Sequence, residues 1–420
     1  MSKWAKTTLG KIADIITGPF GSQLHQSDYV KRGIPIVMPQ DIGNRNINYS
    51  TINYVSEEDA TRLKRYSTVA NDILYARRGD VEKHAFVRAK DAGVLCGTGC
   101  LRVRINSNEV EPAFLSFYLN REETRKWLVT HAVGTNMPNL NTDILSDVPI
   151  AYPTLKEQRK IAKVLNCIEE RIILNEKIND NLEQQLTTLY DYWFTQFDFP
   201  NENGKPYQSS GGKMVMNNCL KKKIPNGWNV ESVYSNQLSS IIKPGVDKFD
   251  TKTYFATADI KGTSLSSGTL IDYENRENRA NMQPNVNSVW FAKMKNSIKH
   301  LYLNEEMLPI ISSSILSTGF CGLQCSDVSF EYMASYISNT YFETHKDMLA
   351  HGATQEAVNN DDLAGIHIVI PDDKTLQNYH RITQPIYSQI SKNICENQEL
   401  VKIRDWLLPM LMNGQATISD

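Results

Sequence analysis

The stretch IAKVLNCIEERIILNEKINDNLEQQLTTLYDYW, residues 161–193, decides the fold of this chain. Its apolar and amide side chains recur at alternating intervals of four and three residues, the a/d pattern of a coiled coil: Ile161, Leu165, Ile168, Ile172, Asn175, Asn179, Leu182, Leu186, Leu189 and Trp193. A helix over residues 157–197 would extend about 60 Å. Such a length predicts a spacer, and an ordinary amphipathic helix lying on its own domain is the alternative.

A second seam of the same kind lies near the other end of the sequence, at Tyr387, Ile390, Ile394, Asn397, Val401, Arg404, Leu408 and Leu411. Two heptad helices in one chain most simply pack on each other. The polar seam residues Asn175, Asn179 and Asn397 would then fix the register of the pairing at some cost in stability. Pro385 is expected in the first turn of this second helix or at a kink, because proline disrupts a helix interior.

Each long helix follows one of two diverged copies of a single unit. Residues 71–77, NDILYAR, match residues 287–293, NSVWFAK, and Lys83-His84 match Lys299-His300 at the same offset of 216. In each copy, short β-like runs are punctuated by Gly, Asn and Asp before the helical pattern begins. The sequence therefore predicts an α+β protein with two β-rich globular domains in a tandem pseudo-repeat.

The composition of the 420-residue chain permits a sizeable core, with 41% apolar and 22% charged residues. A formal net charge of −2 argues, taken whole, against a nucleic-acid binder. By segment, residues 1–153 carry 19 Lys+Arg against 16 Asp+Glu, whereas residues 200–371 carry 15 against 17. Only the first globular segment is basic overall, so the second must rely on a local patch if it grips phosphate.

Three further negatives indicate where the protein works. No apolar run reaches the roughly 18 residues of a membrane span, and the first residues lack the apolar core of a secretory signal. Seven cysteines, an odd number, fit reduced thiols better than a disulfide framework. We expect a soluble cytoplasmic protein.

Motifs for catalysis are missing. The run Gly211-Gly212-Lys213-Met214 lacks the upstream glycine and the hydroxyl of a P-loop, and the chain has no Pro-Pro of an amino-methyltransferase motif. Pro371-Asp372-Asp373-Lys374 resembles a nuclease metal site only superficially. The pairs Cys96/Cys100 and Cys321/Cys325 fit buried small hydrophobes better than zinc ligands. We expect no catalytic residue, metal site or cofactor in this chain.

Side chains suited to phosphates and base edges recur at matching positions of the two copies. Arg and Lys anchor phosphates, and Arg, Asn and Gln pair with base edges; a solvated surface is the alternative for each cluster. Two related domains on a spacer suit an extended ligand such as DNA, whose half-sites lie about 34 Å apart. The candidate DNA-binding residues are Ser22, Gln23, Gln40, Arg77, Arg78, Lys83, His84, Thr135, Asn136, Asn139, Lys293, Lys295, Lys299, His300, Thr354 and Gln355.

Several longer motifs carry a family resemblance. They are LYDYWF at 189–194, FDFPNENGKPY at 197–207, SSGGKM at 209–214, Pro153 with Glu157-Gln158, LLPMLMNGQ at 407–415, and GPFGS at 18–22 followed by GIP at 33–35. With these motifs the chain resembles, over essentially its whole length, the specificity (S) subunit of a bacterial type I restriction–modification enzyme. The second copy departs from the pattern where Thr375-Leu376-Gln377 replaces the Glu-Gln pair.

The resemblance implies two target-recognition domains that each read one half of a bipartite DNA sequence. It also implies that the two helices form an antiparallel coiled coil, which sets the half-site spacing and docks two methyltransferase (M) subunits. Restriction (R) subunits would complete an ATP-dependent endonuclease, with S-adenosylmethionine, ATP and Mg²⁺ held by these partners. A protein-binding scaffold, or a stand-alone methyltransferase or nuclease with its own reader, are the alternatives, and the missing motifs disfavour the enzymes.

The domain boundaries that follow are residues 1–153 for the first recognition domain, 154–199 for the central helix, 200–222 for a linker, 223–371 for the second recognition domain, 372–414 for the C-terminal helix and 415–420 for a tail.

Overall fold

The computed structural model describes residues 4–134, 138–266 and 268–418. The chain divides into two compact units. The first unit comprises the chain up to Glu170 together with the segment from Lys402 onward, and the second comprises Arg171–Val401. Each unit therefore contains one globular copy and a part of both long helices.

The first unit is built on two four-stranded sheets. Its strands are β1 Ala5–Thr8, β2 Ala13–Thr17, β3 Tyr29–Val30, β4 Ile34–Val37, β5 Asn53–Val55, β6 Ile73–Ala76, β7 His84–Phe86, β8 Leu95–Cys96, β9 Cys100–Ile105 and β10 Pro149–Tyr152. The sheet orders are β2-β9-β6-β7, all antiparallel, and β3-β5-β4-β8, in which β4 and β8 are parallel. Strand β1 pairs with β10.

Over the described residues up to Glu170, this unit also contains four short α-helices and the start of a long one. They are α1 Glu57–Arg62, α2 Pro112–Leu119, α3 Glu122–His131, α4 Thr142–Ser146 and α5 Leu155–Tyr190. Strand β6 is buried on both faces, because Ile73 and Tyr75 belong to one apolar cluster and Leu74 and Ala76 to another. This double burial explains the unbroken apolar run ILYA.

The second unit repeats this architecture. Its strands are β11 Met214–Asn217, β12 Lys222–Pro225, β13 Asn229–Ser232, β14 Ser239–Ile241, β15 Lys252–Phe255, β16 Ile260–Lys261, β17 Ser264–Leu265, β18 Thr269–Ile271, β19 Ala280–Met282, β20 Ser288–Ala292, β21 His300–Leu303, β22 Ser314–Ser317, β23 Phe320–Cys325 and β24 His367–Ile370. Its helices are α6 Leu308–Ser313, α7 Phe330–Ser338, α8 Thr340–Leu349 and α9 Asp373–Met412.

The two copies share the strand order of one sheet and the parallel pair of the other, whereas the edge of that other sheet is β3 beside β5 in one copy and β19 beside β22 in the second. The order β14-β23-β20-β21 matches β2-β9-β6-β7, and the parallel pair β15/β22 matches β4/β8. Strands β13 and β24 pair as β1 and β10 do. The predicted α+β tandem pseudo-repeat is confirmed.

Within the second unit, α5 and α9 run antiparallel. Arg171 contacts Glu396 at 2.8 Å, and further along α5 the Oδ1 of Asn179 accepts a 2.8 Å hydrogen bond from Asn393. The apolar seam residues named above are all buried or half-buried. Asn393, which the a/d pattern did not pick out, is buried beside the seam. None of the described helices is long and apolar enough to cross a bilayer.

Helix α9 differs from expectation at Pro385. The helix begins at Asp373, so Pro385 lies in its fourth turn rather than its first. Because proline has no N–H, the carbonyl oxygen of Arg381 lacks its usual intrahelical donor. The start of the helix is fixed by Asp372, whose carboxylate accepts from the Thr375 N–H at 2.9 Å and from Trp228 Nε1 at 2.8 Å.

The link predicted at residues 200–222 is itself folded. The ring of Tyr207 stacks on Phe199 with centroids 4.7 Å apart, and Phe199 stacks on Trp228 at 4.8 Å. The hydroxyl and N–H of Ser209 both donate to Asp198. Helix α5 continues into a π-helical turn at Asp191–Thr195. The aromatic motifs at 189–207 pack this end of the helix against the core of the second unit.

Candidate nucleic-acid interface

Four segments of the first unit meet around Arg77, at the start of the β6–β7 hairpin loop. The Arg77 N–H donates to the carbonyl oxygen of Gly99 at 2.8 Å, and its Nε donates to Asn139 Oδ1 at 3.3 Å. Its guanidinium carbon lies 5.3 Å from the ring centroid of Phe20, a half-exposed side chain. The backbones of Arg78 and Asn139 form an isolated antiparallel β-bridge. We call these residues the Arg77 cluster.

Glycines in the GPFGS motif and in the Cys96–Cys100 turn allow this convergence. A Cβ on Gly18 would lie 2.0 Å from the carbonyl oxygen of Gly97, and one on Gly97 would lie 2.6 Å from that of Val37. Gly18 also donates its N–H to Cys100 at 2.9 Å. The chain segments therefore touch backbone to backbone, which only glycine permits.

The second unit repeats the same contacts around Lys293. Its N–H donates to the carbonyl oxygen of Gly319 at 2.9 Å, as Arg77 does to Gly99. Its carbonyl oxygen accepts from Val358 at 3.0 Å, as that of Arg77 accepts from Leu140 at 2.8 Å. We call Lys293, Lys295, Gly319 and the segment 351–358 the Lys293 cluster, in which Lys295 Nζ lies 2.8 Å from Glu356.

Of the predicted DNA-binding residues, some are exposed, some are half-buried, and the two histidines are buried. Gln23, Gln40, Arg78, Thr354 and Gln355 are exposed, whereas Arg77, Lys83, Asn139, Lys293, Lys295 and Lys299 are half-buried with their polar ends partly engaged. Thr135 and Asn136 lie outside the described residues, and Ser22 lies in the turn Gly21–Gln23.

The two clusters contain seven of the sixteen predicted residues, and two predicted lysines outside them have internal partners. Lys83 Nζ lies 2.5 Å from Asp80, and Lys299 Nζ donates to the carbonyl oxygen of Thr257. The turn that carries Gln40 packs on the Arg77 cluster, since a Cβ on Gly99 would lie 3.1 Å from Pro39 Cγ.

The predicted contact role of the two histidines is wrong, because strands β7 and β21 are buried. His84 is 1% exposed, and its Nε2 lies 2.9 Å from Ser116 Oγ. Burial, with a smaller effect of the Arg45 charge, lowers the pKa of His84 to about 3, so the ring is neutral. His300 is 4% exposed and its Nε2 lies 2.8 Å from Glu343. Both histidines brace the hairpin from inside.

Lys346 and Arg45, two of the buried cations, were not identified from the sequence. Lys346 has no exposed surface, and its Nζ contacts Glu343 at 2.6 Å and the carbonyl oxygens of Ser297 and Ala292 at 3.2 and 3.3 Å. These hydrogen bonds therefore join helix α8 to the β20–β21 loop. Arg45 is equally buried in the first unit. The i, i+3 spacing of Glu343 and Lys346 was a visible signal, but Arg45 stands between two asparagines with no pattern around it.

Other chemistry finds little support in this part of the molecule. The described residues contain no group of three or more His, Cys, Asp or Glu placed to hold a metal ion. The cysteines Cys96, Cys100, Cys321 and Cys325 are buried thiols, as predicted. Burial raises the pKa of Cys96 and of Cys321 to about 12. Asp372 of the nuclease-like tetrapeptide caps α9. The arrangement presents polar and basic side chains for binding.

Comparison with known proteins agrees with this geometry. Residues 1–184 match the family model described as "Type I restriction modification DNA specificity domain". The chain is 25% identical to the MjaIX specificity subunit of Methanocaldococcus jannaschii, over 98% of this chain and 93% of that one. It is 21% identical to the HindI specificity subunit of Haemophilus influenzae, over 99% and 100%.

A solved structure shares the fold. The S subunit of a type I restriction–modification system from M. genitalium aligns with a TM-score of 0.52 at 14% identity, covering 98% of this chain and 96% of that one. The fold therefore belongs to the class in which two related α+β copies stand in tandem with two long helices. Over nearly its whole length, the chain is similar in sequence to these type I restriction enzyme specificity subunits.

Proposed function

We propose that this chain is the DNA sequence-recognition subunit of a type I restriction–modification complex. The observation that carries the proposal is the recurrence of one set of backbone contacts around Arg77 and around Lys293. Two equivalent polar surfaces in one chain suit a ligand with two separate features, and a bipartite DNA sequence has that form. The names of the relatives support a non-catalytic recognition role.

Each recognition domain, residues 1–153 and 223–371, would read one half of the target. Exposed amides and guanidinium groups such as Arg78 and Gln355 are suited to base edges, and lysines such as Lys83 to phosphates. The central and C-terminal helices, 154–199 and 372–414, would set the separation of the half-sites. Residues 200–222 would link the copies, with 415–420 as a tail.

The partner subunits would supply the chemistry. Two M subunits docked on the helical pair would hold S-adenosylmethionine and methylate adenine N6, and R subunits would use ATP and Mg²⁺ for cleavage. The complex would act in the cytoplasm, where it meets the host genome. The near-neutral charge of this chain fits a subunit that selects sequence while its partners provide part of the grip on DNA.

Selection from a random duplex library tests the proposal. The purified full-length chain, at one stated salt concentration, is expected to enrich two short fixed sequences separated by a fixed number of unread base pairs. A single contiguous motif would contradict the two-domain reading. Absence of any enriched sequence would favour the protein-binding scaffold. The same chain mixed with S-adenosylmethionine, Mg²⁺ and the selected duplex is expected to show no turnover.

A further inference from the structure

Glu169 on α5 joins the globular part of the first unit to the helix through a buried ion pair. Its Oε1 lies 2.8 Å from Nη1 of Arg45, and its Oε2 lies 3.3 Å from Nη2 of Arg88. Arg45 is 1% exposed, with its guanidinium carbon 3.3 Å from the ring centroid of Phe117. Burial lowers the pKa of Arg45 to about 10, so the group stays charged at neutral pH. Glu169 is the anion that balances it.

Arg45 also reaches the hairpin that carries the Arg77 cluster. Its backbone is left-handed, with φ of 58°, and in this conformation its N–H donates to the carbonyl oxygen of His84 at 2.8 Å. Its Nε donates to Ser116 Oγ at 2.9 Å, and that hydroxyl also contacts the His84 ring. One side chain therefore connects a carboxylate on α5 with strand β7, where the hairpin ends.

The second unit contains a counterpart further along α5. Thr263 Oγ1 donates to Glu183 Oε1 at 2.8 Å. The preceding residue, Gly262, is left-handed with φ of 60°, and its carbonyl oxygen accepts from the His300 N–H at 3.0 Å. Gly262 thus lies beside the strand with the equivalent histidine, as Arg45 does in the first copy, but two residues earlier along that strand.

The two carboxylates have a regular spacing on the helix. Glu169 and Glu183 are 14 residues apart, which is two heptads, so they hold the same heptad position. The a/d seam fixes how α5 and α9 pair, but it does not fix where a globular domain sits along them. The ion pair of Glu169 does for the first domain, because a shift would leave a buried charge unpaired. For the second domain, a shift would break the hydrogen bond between Thr263 and Glu183.

We propose that Glu169 and Glu183 are positioning residues that fix each recognition domain at its place along α5 and thereby set the number of base pairs between the two half-sites. The inference rests on the proposed function, since spacing has a meaning only if both domains read one DNA. It assigns a property of the target to residues that touch no DNA.

A spacing library tests this inference with the full-length chain. The two half-sites selected by the wild type are kept constant, and their separation is varied in single base-pair steps. The wild type is expected to bind one separation. Glu169→Gln is expected to bind neighbouring separations as well, with its preference for the original one reduced about tenfold, while the letters of both half-sites stay unchanged. Glu183→Gln, which weakens a single hydrogen bond, is expected to show a smaller effect in the same direction.

Two further variants separate positioning from stability. Glu170→Gln makes the same charge change at the adjacent exposed position and is expected to keep the wild-type spacing. The double variant Arg45→Met/Glu169→Leu removes the fully buried cation together with its carboxylate and leaves only the half-buried Arg88 without that partner, so it is expected to melt close to the wild type. It should still accept more than one separation.

The outcomes are distinct. If Glu169→Gln keeps the single wild-type spacing, or if the double variant restores it, the inference is overturned. If the wild type selects no bipartite sequence, the proposed function itself fails before the spacing library is made.

Discussion

Asn175 donates a hydrogen bond from Nδ2 to Oδ1 of Asn397 at 2.9 Å, inside the second unit. Asn397 in turn donates to the carbonyl oxygen of Ile172 at 3.3 Å, and Asn175 also donates to Glu396 at 2.8 Å. Asn175 is buried, and these bonds form in one register only. Amide side chains therefore specify the antiparallel register of α5 and α9, the role that polar seam residues have in coiled coils.

Replacing Asn175 by alanine is expected to lower the free energy of unfolding by about 1–3 kcal/mol, because two hydrogen bonds made by a buried amide are lost. Urea unfolding followed by circular dichroism measures the change. Lys177→Ala, at an exposed position of the same helix, is the matched control and is expected to stay within about 0.5 kcal/mol of the wild type. Equal effects of the two changes would contradict the role of the amide.

Gly18→Ala is expected to destabilise the first unit by about 1–3 kcal/mol, the usual cost of overpacking. The added Cβ would meet the carbonyl oxygen of Gly97, which cannot rotate away. Gly21→Ala in the same motif has nothing within 4 Å of its added carbon and serves as the control. Thermal melting compares the two, and a stable Gly18→Ala protein would show that the close approach is not required.

Lys83→Gln is expected to weaken binding to all duplexes alike, because the ammonium group is predicted to contact phosphate. The slope of log affinity against log salt should fall by about 0.9 for the one lost contact. Lys126→Gln also removes an exposed lysine from an ion pair, with Glu122, but lies outside the predicted contact set. An unchanged slope for Lys83→Gln, or an equal change for Lys126→Gln, would remove Lys83 from the phosphate contacts.

Acid is expected to destabilise the first unit through His84. Its pKa is about 3 in the folded chain and near 6.5 when unfolded, so below pH 6.5 only the unfolded chain gains the proton. Stability should therefore fall by about 2 kcal/mol between pH 6.5 and 5.0. His84→Gln should lose this part of the pH dependence in urea titrations, and the exposed His25→Gln should keep it. Identical pH profiles for wild type and His84→Gln would refute the assignment.

Periodic features of the fold were predictable from the sequence. The heptads placed α5 and α9, and the repeat at an offset near 216 brought Arg77 and Lys293 to equivalent hairpins. The polar loops near Asn139 and Gln355 were predicted because they recur in the two copies. In the structure Asn139 forms a β-bridge with Arg78, and Ala357 forms one with Met294. These signals are local or repeated, so one sequence suffices to detect them.

Long-range burial was not predictable in the same way. His84 and Lys83 are adjacent, yet His84 begins the fully buried strand β7 and Lys83 lies half-buried in the loop before it, and no local pattern marks where the burial begins. Arg45 meets Glu169 from 124 positions away, so composition around either residue gave no sign of the pair. Pro385 lies in the fourth turn of α9, whereas local rules place a proline in the first turn of a helix or at a kink.

The positions of the thiols allow the opening of each unit to be followed without any substitution in the chain. Cys167 and Cys219 are exposed, whereas Cys96 and Cys100 are buried in the first unit and Cys321 and Cys325 in the second. An alkylating reagent would mark the exposed pair at once and each buried pair only when its own unit opens. Mass spectrometry of the unmodified sequence can therefore time the opening of the two halves separately.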